Sequence, residues 1–309
     1  MQTLQEIRAL LAQAGLSPRK QLGQSFLIDQ NLLRKLLELA QVDAGQTVLE
    51  VGPGTGSLTE ELLERARRVV AVEIDRGLAA LLRDRLGERP NFVLVESDVL
   101  AAKHTLSRQV LEALGARVDP NKPPATASLV SNLPYGIATP LVVECLLNSW
   151  RARRGAGVAV LFDRLTFTVQ KEVADRIGAG PGSKDYGPVS VLTALLGRFQ
   201  AGPILPASAF WPAPKVTSRT ARIDFDPSAA DRLGDAAVLM ELLNLSFGRR
   251  RKQIGSLIRR KDLPWEPSLV AEALDQAGME RHLRAEAIAP SQFLAAANRL
   301  AEARSGGRA

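Results

Sequence analysis

Between Gln46 and Phe162, short apolar runs alternate with segments whose apolar residues recur at helical spacing. "TVLEV" precedes "SLTEELLERAR", "RVVAVEI" precedes "RGLAALLRDRL", and "NFVLVES" follows; "SLVSNL" and "GVAVLF" flank "TPLVVECLLN". Runs of Val, Leu and Ile without polar alternation suit strands covered on both faces, with the intervening helices as the cover. The pattern predicts a doubly wound α/β sheet. Prolines and polar residues in "GARVDPNKPPATA", from Gly115 to Ala127, interrupt it and predict a surface loop.

After Phe162 the spacing in "TFTVQKEVADRI" predicts a helix, followed by the glycine-rich "GAGPGSKDYGP". Strands are expected around "VLTALLGRF" and "SRTARIDF", on either side of the proline-studded "PILPASAFWPAPKV". Beyond Asp226 the pattern turns helical, in "AAVLMELLNLSFGRRRKQIGSLIRR", "EPSLVAEALDQAG" and "APSQFLAAANRLAEAR". The expected organisation is an α/β domain over 1–226, with an N-terminal helical lead-in, and a smaller all-helical domain over 227–309.

Composition narrows the function classes. The 309 residues suffice for about two cores. The net charge of +7 favours a polyanionic partner, although 33 carboxylates keep the chain from being uniformly basic. Cys145 is the single cysteine, which excludes an intrachain disulfide and points to a reducing compartment. Its apolar surroundings, "PLVVECLLNSW", suit a small core residue better than a nucleophile. His104 and His282 stand far apart without a ligand cluster, so no metal site is expected. "MQTLQEIRALLAQAGL" patterns as an amphipathic helix rather than a secretory leader, and no apolar run approaches the roughly 18 residues that span a bilayer. A cytoplasmic protein without membrane contact is expected.

Candidate chemistry begins at "VLEVGPGTGSLTE", where Gly52, Gly54 and Gly56 follow the first strand and precede a helix. Glycines there let a ligand approach the main chain at the crevice beyond the strand ends. The spacing is G-x-G-x-G, one residue short of the dinucleotide fingerprint between the second and third glycines, which counts against a nicotinamide cofactor. Glu73 ends the second strand, about twenty residues on, where a carboxylate can accept both hydroxyls of an unphosphorylated ribose. Asp98 follows the third strand and can meet the amino edge of an adenine. Nothing in this set calls for a pyrophosphate or a redox-active ring. The combination fits S-adenosylmethionine. Singly, each acid is as readily a strand-end or helix cap.

At the end of the fourth strand stands "SNLPYGIATP". The Asn132 amide oxygen and the Leu133 carbonyl can accept both hydrogens of an exocyclic amine. Holding them favours pyramidalisation and frees the nitrogen lone pair, which is otherwise delocalised into the purine. Pro134 stiffens the corner and Tyr135 offers a ring for stacking. Such catalysis is positioning plus electrostatics, without a covalent enzyme intermediate. The competing reading is a strand-end amide, a proline turn and a packing tyrosine.

Together, "KQLGQSFLID", "LEVGPGTGSLT", "VEID", "SNLPYGIATP", "TVQKEVADRI", "SAFWPAPKVTS" and "FGRRRKQI" resemble the bacterial small-subunit rRNA adenine dimethyltransferases of the KsgA type, in family order from about Lys20 to the last helix. The resemblance implies a Rossmann-like class I methyltransferase fold and transfer of four methyl groups to two adjacent adenosines in a hairpin near the 3′ end of 16S rRNA, during small-subunit assembly. By the same resemblance, Ser25, Leu27, Gly52, Gly54, Glu73, Asp98 and Asn132 match cofactor positions, and Asn132, Leu133 and Tyr135 the target-amine corner. Phe210 matches the aromatic on the far side of a flipped adenine, where core packing is the alternative role. Ser25 departs from the Asn or His usual there, which favours a backbone contact. The segment from Gly115 to Ala127 is longer than in familiar members, and Trp211 is unusual. No self-association motif appears, so a monomer is expected.

Arg249, Arg250, Arg251 and Lys252, followed by Arg259, Arg260 and Lys261, are candidate phosphate contacts, with Ile254, Leu257 and Ile258 as the apolar stripe of a helix beneath them. Plain solvation is the alternative for such a run. Arg19 and Lys20 add charge near the cofactor entrance. Three other functions share features with this reading: a resistance-type dimethyltransferase of large-subunit rRNA, a non-catalytic assembly or transcription factor, and a DNA amino-methyltransferase. The helical tail opposes the first and the intact corner the second. The third would carry Pro where Leu133 stands.

Overall fold

In the computed structural model, which describes residues 1–102, 105–116, 123–155 and 157–306, seven strands form the main sheet. In chain order they are β1 (Thr47–Val51), β2 (Arg68–Glu73), β3 (Phe92–Glu96), β4 (Ala125–Asn132), β5 (Val160–Gln170), β6 (Gly197–Leu205) and β7 (Ser218–Phe225). Across the sheet the order is β3-β2-β1-β4-β5-β7-β6. β1 is parallel to β2 and β4, β2 to β3, and β4 to β5, whereas β7 runs antiparallel to β5. The order reverses between β1 and β4, and a crevice opens beyond the carboxyl ends of strands at such a switch.

The helices of this part are α1 (Leu4–Gln13), α2 (Gln30–Ala40), α3 (Ser57–Leu63), α4 (Arg76–Leu86), α5 (Arg108–Ala113), α6 (Ala138–Arg153) and α7 (Lys171–Ile177). Side chains set their starts: Thr3 and Glu6 form a capping box on α1, Asp29 accepts from the amides of Asn31 and Leu32, and Asp75 from those of Gly77 and Leu78. On β1, the neighbours Val48 and Leu49 point to opposite faces and are both fully buried, as the unalternating apolar pattern requires. On one face Val48, Val69 and Val130 pack with leucines of α2, α3 and α4, among them Leu36, Leu62 and Leu82. Helix α6 packs on β5.

The chain divides into two compact units, Met1–Ala174 with Phe199–Phe225, and Asp175–Arg198 with Asp226–Ala309. The second unit takes in Asp226, which the sequence reading kept in the first domain, and also 175–198, which that reading placed in the α/β domain. The cause is α8 (Pro188–Leu196), which the apolar run "VLTALL" had suggested as a strand. It starts with Pro188 in the first turn, is buried along nearly its whole length, and packs against α9 (Pro227–Asp231), α10 (Ala236–Phe247) and α12 (Pro290–Gly306). A helix buried all round loses its amphipathic period and imitates a buried strand. Helix α11 (Pro267–Gln276) also contacts α12.

Two further expectations change. "TFTVQ" continues β5 to Gln170, because its β-branched Thr166, Thr168 and Val169 are buried in the sheet, and α7 starts only at Lys171. The arginine-rich segment is no continuous helix: α10 stops at Phe247, and a 3₁₀ segment runs from Ile254 to Arg259. Ile254 and Leu257 are buried as expected, and Ile258 is half-buried. Gly255 fits here because a Cβ would come within 2.9 Å of the Arg281 carbonyl oxygen. Cys145 is buried in α6. His104 and positions 117–122 of the long loop lie outside the described residues.

Candidate active site

A cavity of about 430 Å³ lies at the carboxyl ends of β1, β2 and β4, within the range of small-molecule sites. Its wall includes Ser25, Leu27, Gly52, Gly54, Glu73, Asp98, Asn132, Leu133 and Tyr135, so the expected cofactor positions and the corner meet around one space. Gly52 and Gly54 have φ of +70° and +62°, which favours glycine. A Cβ on Gly54 would come within 2.9 Å of Phe26 Cε1, and one on Gly52 within 3.2 Å of Pro134 Cγ. Both glycines line the cavity, and at either one a side chain would crowd a neighbouring ring.

Glu73 ends β2 with 4% exposure. Its Oε1 accepts from the Asp75 amide at 2.9 Å and its Oε2 from the Gly54 amide at 3.4 Å. Burial, opposed by these amides and reinforced by Asp75, pushes its carboxyl up to about 7. Asp98 is exposed and accepts the Leu100 amide on one oxygen. Behind Glu73, Asp75 takes the Gln24 amide nitrogen at 3.1 Å and pairs with Arg19 at 3.3 Å, holding the segment before Phe26 against the site.

The corner is built from β4 outward. Asn132 Nδ2 donates to the Ser25 carbonyl at 3.2 Å, which orients the amide. Its Oδ1 is buried and takes no hydrogen bond among the described residues. The Leu133 amide donates to the Thr168 carbonyl at 3.1 Å, fixing the turn to β5. Tyr135 is half-buried, its hydroxyl 2.8 Å from that of Ser218, and burial raises its pKa. The result is a buried acceptor without a partner among the described residues, on the same cavity wall as Tyr135.

Ser25 contributes through its main chain, as its hydroxyl donates to the Pro212 carbonyl at 2.7 Å. Phe210 lies elsewhere than expected. Its residue pairs with Leu27, its ring is 3% exposed within the core of α2 and α3, and it is not part of the cavity wall. The packing role holds here, and the second face of a base sandwich is not supplied by Phe210 in this conformation. Trp211 instead stacks on Phe26 with centroids 6.3 Å apart, and the Arg8 guanidinium sits 5.0 Å from its ring centre. Sequence reading also passed over Glu50, although an acid inside the apolar "TVLEV" is a visible signal; it lines the cavity and is 1% exposed. Gln2 was missed as well: its side chain exchanges two hydrogen bonds with Thr55 of the glycine loop.

Of the basic run, Arg249, Arg250, Arg251 and Lys252 are all exposed. Arg250 also has a structural task, donating to the carbonyls of Lys184 and Tyr186 at 2.7 and 3.0 Å.

The profile of the ribosomal RNA adenine dimethylases matches residues 15–302. The chain belongs to that family. It is 38% identical to the ribosomal RNA small subunit methyltransferase A of Magnetococcus marinus, over 94% of this chain and 95% of that one. To the protein of the same name from Alkaliphilus oremlandii it is 35% identical, over 92% of each. Among solved structures, a dimethyladenosine transferase from Plasmodium falciparum superposes with a TM-score of 0.68 at 21% identity, covering 91% of this chain and 98% of that one. The 23S rRNA methyltransferase ErmE gives 0.57 at 27%, covering 89% and 99%. The fold is that of a Rossmann-like class I methyltransferase with a helical C-terminal part, and membership of the family makes the chain an rRNA adenine dimethyltransferase. No group of three or more potential metal ligands, and no helix long and apolar enough to cross a membrane, occurs among the described residues.

Proposed function

We propose that the cavity holds S-adenosylmethionine and that the corner dimethylates two adjacent adenosines in a 3′-end hairpin of 16S rRNA, in the assembling small subunit. The observation that carries this reading is the buried Asn132 Oδ1, which has no hydrogen-bond partner among the described residues and belongs to a residue of the cavity wall. The residues present fit the cofactor: a glycine cradle with no room for side chains, an acid at the end of β2 for a ribose, and Asp98 at the rim for an adenine amine. When bound, the cofactor supplies an electrophilic methyl group.

Asn132 Oδ1 and the Leu133 carbonyl accept the two hydrogens of the target amine and release its lone pair from the purine. Tyr135 stacks on the extruded base and offsets part of the few kcal/mol that unstacking costs. Ser25 and Leu27 contact the cofactor from the N-terminal side, and Gly52 and Gly54 offer main chain. Arg249, Arg251 and Lys252 take RNA phosphates, with Arg250 sharing its guanidinium between phosphate and protein. The protein works as a cytoplasmic monomer without metal.

The test is transfer of labelled methyl to under-modified small subunits, with the labelled adenosines mapped. Label in two adjacent adenosines near the 3′ end of 16S rRNA is the expected result. The likeness to ErmE makes large-subunit rRNA the second substrate to assay; label there instead would overturn the small-subunit assignment, whereas the names of the curated relatives favour it.

A further inference from the structure

The glycine loop, Gly52-Pro53-Gly54-Thr55-Gly56, offers a single side chain able to hydrogen-bond, that of Thr55. Its three glycines all hold positive φ, and such a chain has many shapes to lose when a ligand settles on it. Gly56, at the start of α3, has no side chain to cap the helix. The grip on Thr55 comes from Gln2, 53 residues away in the chain. Thr55 is 1% exposed and Gln2 5%. The Thr55 hydroxyl donates to Gln2 Oε1 at 2.6 Å, and Gln2 Nε2 donates to the Thr55 carbonyl at 3.1 Å. The main-chain amide of Gln2 donates to the Ser57 hydroxyl at 3.0 Å, in the first residue of α3. Arg85 adds a second donor to the Thr55 carbonyl. Further along, the buried Ile7 of α1 joins the cavity wall, and Arg19 and Gln24 reach Asp75 behind Glu73. Thr55 and Ser57 also line the cavity, whereas Gln2 does not.

We propose that Gln2 is a positioning residue for the methyl donor: working through Thr55, it sets the curve of the glycine loop before the donor arrives. This rests on the cofactor assignment made above. The two residues close a ring of two buried hydrogen bonds, and removing either side chain leaves the other's polar atoms unpaired. A loop already held in its bound shape loses less freedom when the donor binds. The contribution of Gln2 therefore lies in donor affinity and not in the transfer step.

Calorimetry of the full chain with S-adenosylmethionine and S-adenosylhomocysteine, beside transfer assays on under-modified small subunits, reads the two separately. Gln2→Met keeps the bulk of the side chain without its hydrogen bonds, and Thr55→Val does the same for the hydroxyl. Each should weaken both ligands by about tenfold and raise the KM for the donor, with kcat at saturating donor within about twofold of the intact protein. The double variant should bind no more weakly than the weaker single one, because all three lose the same linkage. Thr55→Ser restores the hydroxyl and should bring affinity back to within about threefold. If Gln2→Met does not fold, the contrast between Thr55→Val and Thr55→Ser carries the test. A lower melting point with donor affinity unchanged, additive losses in the double variant, equal binding by the Val and Ser variants, or a loss confined to kcat overturns the role of Gln2 while leaving the cofactor assignment standing. If neither ligand binds the intact protein, the cofactor assignment falls and this proposal with it.

Discussion

Gly52 sits close to Pro134: a Cβ at Gly52 would come to 3.2 Å from Pro134 Cγ, so the glycine loop and the Asn132–Tyr135 corner pack against each other. With φ at +70°, Gly52→Ala adds backbone strain to that collision. The expected outcome is a loss of about 1–3 kcal/mol in stability and weaker binding of the methyl donor, read by thermal melts and calorimetry. Unchanged donor affinity would show that loop and corner are not coupled.

Asn132→Ala removes the unpaired acceptor together with the tether to the Ser25 carbonyl. Methyl transfer to small subunits should fall by about 10²–10³ in kcat/KM, the range for loss of one preorganised polar group, while the thermal midpoint changes little. Retention of wild-type transfer would remove the amide from the mechanism.

Burial raises Glu50 to about 8 and Glu73 to about 7 from the ordinary 4.5. In the ligand-free protein both hold protons that the unfolded chain has already released above pH 4.5. Their contribution is complete below that pH and is lost as pH rises towards 8, so stability falls across the window. Glu50→Gln should flatten this decline by an amount on the order of 1–3 kcal/mol, measured by denaturant titrations of both proteins at pH 5.5 and 8.5. Parallel pH profiles would refute a neutral Glu50.

The four cations divide by task. Arg249→Ala, Arg251→Ala and Lys252→Ala should each weaken binding to small subunits, lower the salt slope by about one, and leave the melting point alone. Arg250→Ala should do the same and also cost about 1 kcal/mol of stability, since it releases the carbonyls of Lys184 and Tyr186. Binding assays over a salt series beside thermal melts distinguish the two patterns.

Phe210→Ala empties a well-packed site and should cost about 3 kcal/mol or more. Phe210→Leu keeps most of the volume and, assayed below its melting point, should retain transfer within a few-fold. A large loss of transfer in a stable Phe210→Leu protein would mean that the ring leaves the core to meet the base.

The sheet and the site were legible where local chemistry is directional. A glycine cluster straight after an apolar run, and acids at the next two strand ends, have few other uses in combination, and the cavity brings Gly52, Glu73, Asp98 and Asn132 together. What escaped was context. "VLTALL" is strand-like in composition but is buried as a helix among helices, and "TFTVQ" is carried on by the sheet beside it. A phenylalanine in the core and one on a cavity wall are the same letter, so Phe210 was undecidable from sequence. Glu50 was readable as an acid among aliphatic neighbours, yet its meaning depends on a space that only the folded chain encloses.

The interleaving of the two units has a practical corollary for fragments of this protein. Cutting after Phe225 would not release a self-sufficient sheet, because the retained α8 would lose α9, α10 and α12 and bare a leucine- and valine-rich surface to water. Such a fragment is set up to aggregate, whereas one that also replaces 175–198 with a short polar bridge leaves no orphaned helix behind.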